Sequence, residues 1–134
     1  MPNTISFSNH FMDFFKNDYP NLPSNQQKII STFIAEYIQY GFNAPPLCGR
    51  NKSSADVPDD SKREFAREHG LWHYHIGIPC YNKTRYVVMG DWTSEQIVHY
   101  VNKNCRATIK LVCIDKHPPF VMPSYIHIQG EVTR

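Results

Sequence analysis

Leu71-Trp72-His73-Tyr74-His75-Ile76-Gly77-Ile78 is the stretch that most restricts what this chain can become. β-Branched, aromatic and imidazole side chains crowd it, and a period of two divides them between opposite faces of a strand. Trp72, Tyr74, Ile76 and Ile78 make an apolar face. Leu71, His73, His75 and Gly77 point the other way, so two imidazoles stand about 7 Å apart, the i to i+2 repeat of a strand. A chain built round this segment needs a core on one side of it and a use for two histidines on the other.

Upstream, the pattern is helical. Phe7, Phe11, Phe14 and Phe15 fall on one helix face, which predicts a helix capped by Ser6 and ended at Tyr19-Pro20. Ser24 with Gln27 reads as a capping box for a second helix. Its stripe is Ile30, Phe33, Ile34, Tyr37 and Ile38, and Gly41 closes it. Residues 42–60 lose periodicity and read as a long loop, in which Gly49 with Arg50 and Lys52 offers a meeting place for phosphates. The competing reading is a solvated loop. A capping box of Ser61 and Glu64 predicts a short helix to His69, closed by Gly70.

Downstream, strands dominate. The sequence predicts short strands over 71–78 and 85–89, then Glu95–Val101 and an alternating run over 106–114 that His117-Pro118-Pro119 ends. Tyr125-Ile126-His127-Ile128 reads as a last edge strand. Helices first and a meander after predict an α+β fold: N-terminal helices on one face of a small antiparallel β-sheet spanning 71–128, the other face open. On that open face His73, His75, Arg106 and Lys110 would stand on neighbouring strands, with His99 joining if the register allows. The 134 residues form one domain on this reading, with residues 1–21 as an extra N-terminal helix.

Charge distribution separates the two halves. Residues 1–61 carry four Lys/Arg and six Asp/Glu, whereas residues 62–134 carry ten and six, together with six of the seven histidines. The basic half therefore holds the His-x-His strand, which suits a polyanionic partner. Cys48, Cys80, Cys105 and Cys113 form no C-x-x-C pair, so a zinc ribbon or a thioredoxin-type site is not indicated. Without a signal-like N-terminus or an 18-residue apolar run, the expectation is a cytoplasmic protein with reduced thiols and no membrane partner.

Imidazoles and cations on a sheet suit attack of an RNA 2′-hydroxyl on the adjacent phosphodiester. One histidine takes the 2′-proton and another protonates the leaving 5′-oxygen, while Arg or Lys offsets phosphate charge. Tyrosines and tryptophan suit base stacking. Two other readings stay open: a zinc site with His99 or His117 as third ligand, and a His pair hydrogen-bonded in the core.

Several blocks in order resemble a known family. Phe33 to Asn51, with Phe-Ile-x-x-Tyr, Gly41 and Pro46-Leu47-Cys48-Gly49-Arg50-Asn51, is similar to the YafO-type toxins of bacterial type II toxin–antitoxin systems. His73-Tyr74-His75-Ile76, Thr93-Ser94-Glu95 with Ile97-Val98-His99-Tyr100, and the apolar strand ending in His117 resemble their later blocks. The likeness covers roughly residues 28–120. It implies a RelE-like fold and a ribosome-associated mRNA interferase that arrests translation and is inhibited by a cognate antitoxin; the residue arrangement itself fits an endoribonuclease that needs neither metal nor cofactor. The resemblance carries over Arg50, His73, His75, Thr93, Ser94 and His117. The family tends to have an arginine just before the Thr turn, where this chain has Asp91-Trp92, so the charge-offsetting cation must come from elsewhere. With the residue reading added, His73, His75, His117, Lys110 and Arg85 are the catalytic candidates. Arg50, Lys52, Thr93, Ser94, His99 and Arg106 are the RNA-binding candidates. A non-cleaving RNA- or ribosome-binding inhibitor and a small His-ligated zinc protein are the alternatives.

Overall fold

The computed structural model describes residues 3–42, 47–82, 91–103, 108–117 and 120–133. Arg85, Arg106 and the strand expected over 85–89 lie outside the described residues. In chain order the elements are β1 (Thr4–Phe7), α1 (Asn9–Asn17), a 3₁₀ turn at Tyr19–Asn21, α2 (Ser24–Tyr40), β2 (Asn51–Ser53), α3 (Asp60–His69), β3 (Leu71–His75), β4 (Gln96–Lys103), β5 (Thr108–Lys116), α4 (Tyr125–Ile128) and β6 (Val132–Thr133). The fold is α+β. A six-stranded sheet of order β2-β3-β4-β5-β1-β6 is antiparallel except where β1 runs parallel to β5.

The first helix starts later than its phenylalanine pattern suggests. Thr4–Phe7 pairs with Thr108–Leu111 instead, because that alignment buries Ile5 and Phe7 beside Ile109 and Leu111. Ser8, not Ser6, is the cap, accepting the Phe11 amide at 3.1 Å. Phe7 still stacks on Phe11 and Phe15 from the strand side. The capping box expected at Ser24 and Gln27 does not form: the Gln27 amide donates to the carbonyls of Tyr19 and Leu22 and clasps the preceding turn. At α3 the cap is Asp59, which accepts from Lys62, and Gly70 ends the helix at φ 64°, the left-handed conformation that costs glycine least.

α1 and α2 cover one sheet face. Phe11, Ile30, Phe33 and Tyr37 meet Tyr74, Ile76, Val98, Tyr100, Ile109 and Leu111 there. Each such large apolar side chain taken from water contributes about 1.5–3 kcal/mol before the entropy of ordering it. Tyr74, Ile76 and Ile78 thus fill the core as the alternation of 71–78 predicts, although the strand itself stops at His75.

The opposite face is not open. α3 and α4 lie over one end of it, where Ala66, Leu71, Val112, Cys113 and Ile128 form a second apolar cluster. Residues 125–128 are therefore a helical turn rather than an edge strand: Ser124 and His127 close a capping box, and Ile128 is drawn into that cluster. A register shift at His99/Tyr100 also breaks the simple alternation of β5. Ile109 and Leu111 face α1 and α2, while Cys113 crosses to the other side as the partner of His99.

Candidate active site

Three antiparallel strands build the floor. Antiparallel pairing sets His73 directly opposite His99, His75 opposite Ile97, and Leu71 opposite Val101. The register that sequence could not fix thus places His99 beside His73, with rings 6.3 Å apart. His117 follows β5, and its amide donates to the Glu95 carbonyl at 2.7 Å. That bond turns its ring over the sheet, 5.9 Å from His73 and 5.5 Å from His75. Phe120 roofs the group, with its ring 5.0 Å from His73 and 5.5 Å from both His99 and His117.

The result is a cluster of four imidazoles under cover rather than two on an open sheet. His99, His75 and His73 are 0%, 4% and 6% exposed. Burial is the first cause of every shift: it drives His73 down to about 3 and His99 to about 4, and it lowers His75 and His117. Neighbouring imidazoles add to the effect at all but His117, and Arg50 lowers both His75 and His117. All four shifts favour the uncharged ring near neutral pH.

Two rings are held from behind. Ser54, fully buried, sits 2.9 Å from His73 Nδ1. His75 Nδ1 lies 2.9 Å from the Ser94 carbonyl oxygen and 3.0 Å from the Ser94 amide nitrogen. When Nδ1 carries a proton it donates to the carbonyl, and when it does not it accepts from the amide. His75 Nε2 can therefore gain or lose a proton without the ring turning.

The loop before β2 supplies the cation. His75 donates its amide to the Arg50 carbonyl, and Arg50 donates its own to the Trp92 carbonyl at 2.7 Å. A Cβ on Gly49 would stand 1.9 Å from the His75 carbonyl oxygen, so only glycine permits this approach. Arg50 Nε then donates to Asp91 Oδ1 at 2.7 Å and Nη2 to Oδ2 at 3.3 Å. Asp91 thus anchors an arginine from another loop. Tyr81 completes the wall, donating its hydroxyl to the His75 carbonyl at 2.7 Å.

Arg50, His75, Thr93, Ser94 and His117 line one groove of about 650 Å³ with Tyr81, Asn82 and Glu95. A smaller cavity of about 240 Å³ adjoins it, bounded by His73, His75, His117, Arg50, Lys52 and Phe120. Lys52, paired with Asp56 at 2.8 Å, belongs to this second space.

No family model, curated protein or solved structure matches the chain.

Of the residues singled out in sequence, His73, His75, His99, His117, Arg50, Lys52, Thr93 and Ser94 converge. Lys110 stands elsewhere: its ammonium donates to the carbonyls of Ile128 and Gly130, tying β5 to the C-terminal segment. On β5 it lies between Ser6 of β1 and Val101 of β4, at the Leu71 end of the sheet rather than the His75 end. Ser54, Phe120 and Tyr81 were not foreseen, because none stands in a chemical motif and each reaches the site by chain reversal. Among the described residues no helix is long and apolar enough to cross a membrane.

Proposed function

We propose that this chain is an endoribonuclease of the YafO type, a RelE-like toxin that cleaves mRNA on the ribosome in the cytoplasm and is held inactive by a cognate antitoxin. The observation that carries the reading is the groove shared by His75, His117 and Arg50. Two imidazoles 5.5 Å apart can flank one phosphodiester, with a guanidinium beside them.

In this reading His75 Nε2 takes the 2′-hydroxyl proton, and the proton gained there leaves Nδ1–H donating to the Ser94 carbonyl. The 2′-oxygen forms its bond to phosphorus as the bond to the 5′-oxygen breaks, and His117 gives that oxygen its proton. The products are a 2′,3′-cyclic phosphate and a 5′-hydroxyl end. Arg50, steadied by Asp91, faces the charge gathering on the non-bridging oxygens. Thr93 and Ser94 line the rim where flanking nucleotides would pass, and Tyr81 offers a ring for stacking. His73 and His99 sit behind this pair and set its environment rather than touching RNA.

Purified chain would be assayed in excess EDTA on ribosome-bound message and on an oligoribonucleotide. His75→Ala and His117→Ala should each slow cleavage by about 10²–10⁴-fold, the usual worth of a general acid or base. Cyclic phosphate ends should appear with the parent. Translation arrest with intact message, unchanged by either substitution, would replace the enzyme with a non-cleaving inhibitor.

A further inference from the structure

RNA cleavage uses two of the four imidazoles and gives no account of the third ring that meets them. His73, His75 and His117 each present one ring nitrogen, and these three atoms lie within 4.8 Å of one another. Three nitrogens round a tetrahedral Zn²⁺ at 2.0–2.1 Å stand about 3.4 Å apart, so small side-chain rotations would close the set. Ser54 behind His73 and the Ser94 carbonyl behind His75 engage Nδ1 in both rings. That leaves Nε2 forward, and such outer hydrogen bonds are what commonly orient metal-bound imidazoles. His117 contributes a buried Nδ1 that has no hydrogen-bond partner among the described residues.

Charge around the set is balanced. Arg50 and Lys52 reach the same small cavity, yet each is already paired with a carboxylate, Asp91 and Asp56. A dication entering here does not meet two bare cations. The cavity, about 240 Å³, leaves room for water at a fourth position, the arrangement of open rather than closed zinc sites. Three neutral nitrogens suit zinc, copper, nickel or cobalt and not magnesium or calcium, which want oxygen.

We propose that His73, His75 and His117 form a three-imidazole site for a late first-row divalent ion such as Zn²⁺, and that filling it stops RNA cleavage. The first half stands on the geometry alone. The second rests on the endoribonuclease reading: an ion that takes the lone pair of His75 Nε2 removes the acceptor for the 2′-proton, and His117 is drawn into coordination.

The full chain, stripped with EDTA and dialysed, would be titrated with Zn²⁺ by calorimetry and with Co²⁺ by visible absorption. One equivalent should bind, with the absorption of four-coordinate Co²⁺. His73→Ala, His75→Ala or His117→Gln should each weaken Zn²⁺ by about 100-fold or more, and Ser54→Ala by about tenfold. Circular dichroism would establish that each variant is folded; His117→Gln, at the least buried of the three, keeps the test usable if the strand variants unfold. His127→Ala, at a surface histidine 4.5 Å from the His10 ring, should change nothing. Stoichiometric binding lost in His127→Ala, or kept in folded His117→Gln, overturns the site. Cleavage that proceeds equally with EDTA and with one equivalent of bound Zn²⁺ overturns the inhibition. One equivalent bound with no cleavage in either condition leaves the site standing and removes the endoribonuclease reading instead.

Discussion

Replacing His99 by leucine should stabilise the protein. The side chain is 0% exposed, and neither ring nitrogen has a hydrogen-bond partner among the described residues. Each buried polar atom left unpaired costs about 1–3 kcal/mol. Leucine has nearly the volume of histidine and no polar atom, so it removes both penalties and adds a repacking cost of about 1.5 kcal/mol or less. The net gain at pH 7 is therefore about 0.5 kcal/mol at the least and several kcal/mol at the most. For a chain of this size each kcal/mol is worth roughly 3–5 °C in Tm. Acid enlarges the difference. Burial first, then the charges of His117 and His127, hold His99 at about 4 in the folded protein, against 6.5 for the free side chain. Below pH 6.5 the unfolded chain therefore binds more protons than the folded one at this position, and stability falls as pH falls toward 4. Between pH 7 and pH 5 that loss is about 2 kcal/mol in the parent and absent in the variant. Urea unfolding in EDTA at both pH values measures the gap directly. A variant less stable than the parent at pH 7, with an unchanged acid slope, would mean that the imidazole is paired in the folded protein and that the cluster is assembled differently.

Three further outcomes follow from the site. On the proposed endoribonuclease reading, because His75 and His117 are both lowered from 6.5, the kcat/KM profile of the metal-free chain on an oligoribonucleotide should be bell-shaped, with its optimum below pH 6.5. A plateau running past pH 8 would remove His117 as the acid. Asp91→Asn should lower kcat/KM about tenfold by loosening Arg50, while Tm moves little, since a half-exposed ion pair is worth about 0–1 kcal/mol. Equal loss of Tm and activity would make the pair structural. Gly49→Ala, whose Cβ would fall 1.9 Å from the His75 carbonyl, should cost several times the ~1 kcal/mol of an ordinary substitution and abolish cleavage in whatever folds; a Tm within a few degrees of the parent would refute this packing.

What could be read from sequence was what local periodicity encodes. α2, the strand at Leu71–His75 and its apolar face follow from spacing alone, and so does the α+β class, though not the order, since β1 opens the chain and β2 precedes α3. Element ends were less accessible, because pairing partners decide them. Phe7 belongs to a helical stripe by spacing and to a strand by its pairing with Leu111, and the buried sheet wins. Tyr125–Ile128 alternates like a strand but caps and coils, since Ile128 has an apolar cluster to enter. The candidate site divides the same way. His73 and His75 share a face by alternation, whereas His99 and His117 arrive only through register, and Ser54 and Phe120 through loops that no pattern marks.

The covering of the histidine face is the largest departure from that sequence picture, and it changes the chemistry open to the cluster. On an open sheet the imidazoles would keep ordinary pKa values and serve as exchangeable acids and bases in water. Beneath Phe120, and without a carboxylate hydrogen-bonded to any of their rings among the described residues, they are kept neutral. A cluster of that kind is a poor proton reservoir by itself and a good set of lone pairs. On the proposed reading it becomes an acid–base pair only when an anion arrives, because a phosphate in the groove would raise His75 and His117 together by supplying the negative charge the site lacks. A dication makes the opposite demand on the same atoms, requiring all lone pairs and no protons. The two occupants therefore exclude each other by proton count as well as by space. Zn²⁺ affinity should accordingly fall when a non-cleavable RNA analogue fills the groove, and the analogue should bind more weakly to the zinc-loaded chain by the same factor, since coupling between two ligands is reciprocal. Calorimetric titration of each in the presence of the other measures both factors, and independent binding would show that the ion and the phosphate do not share His75 and His117.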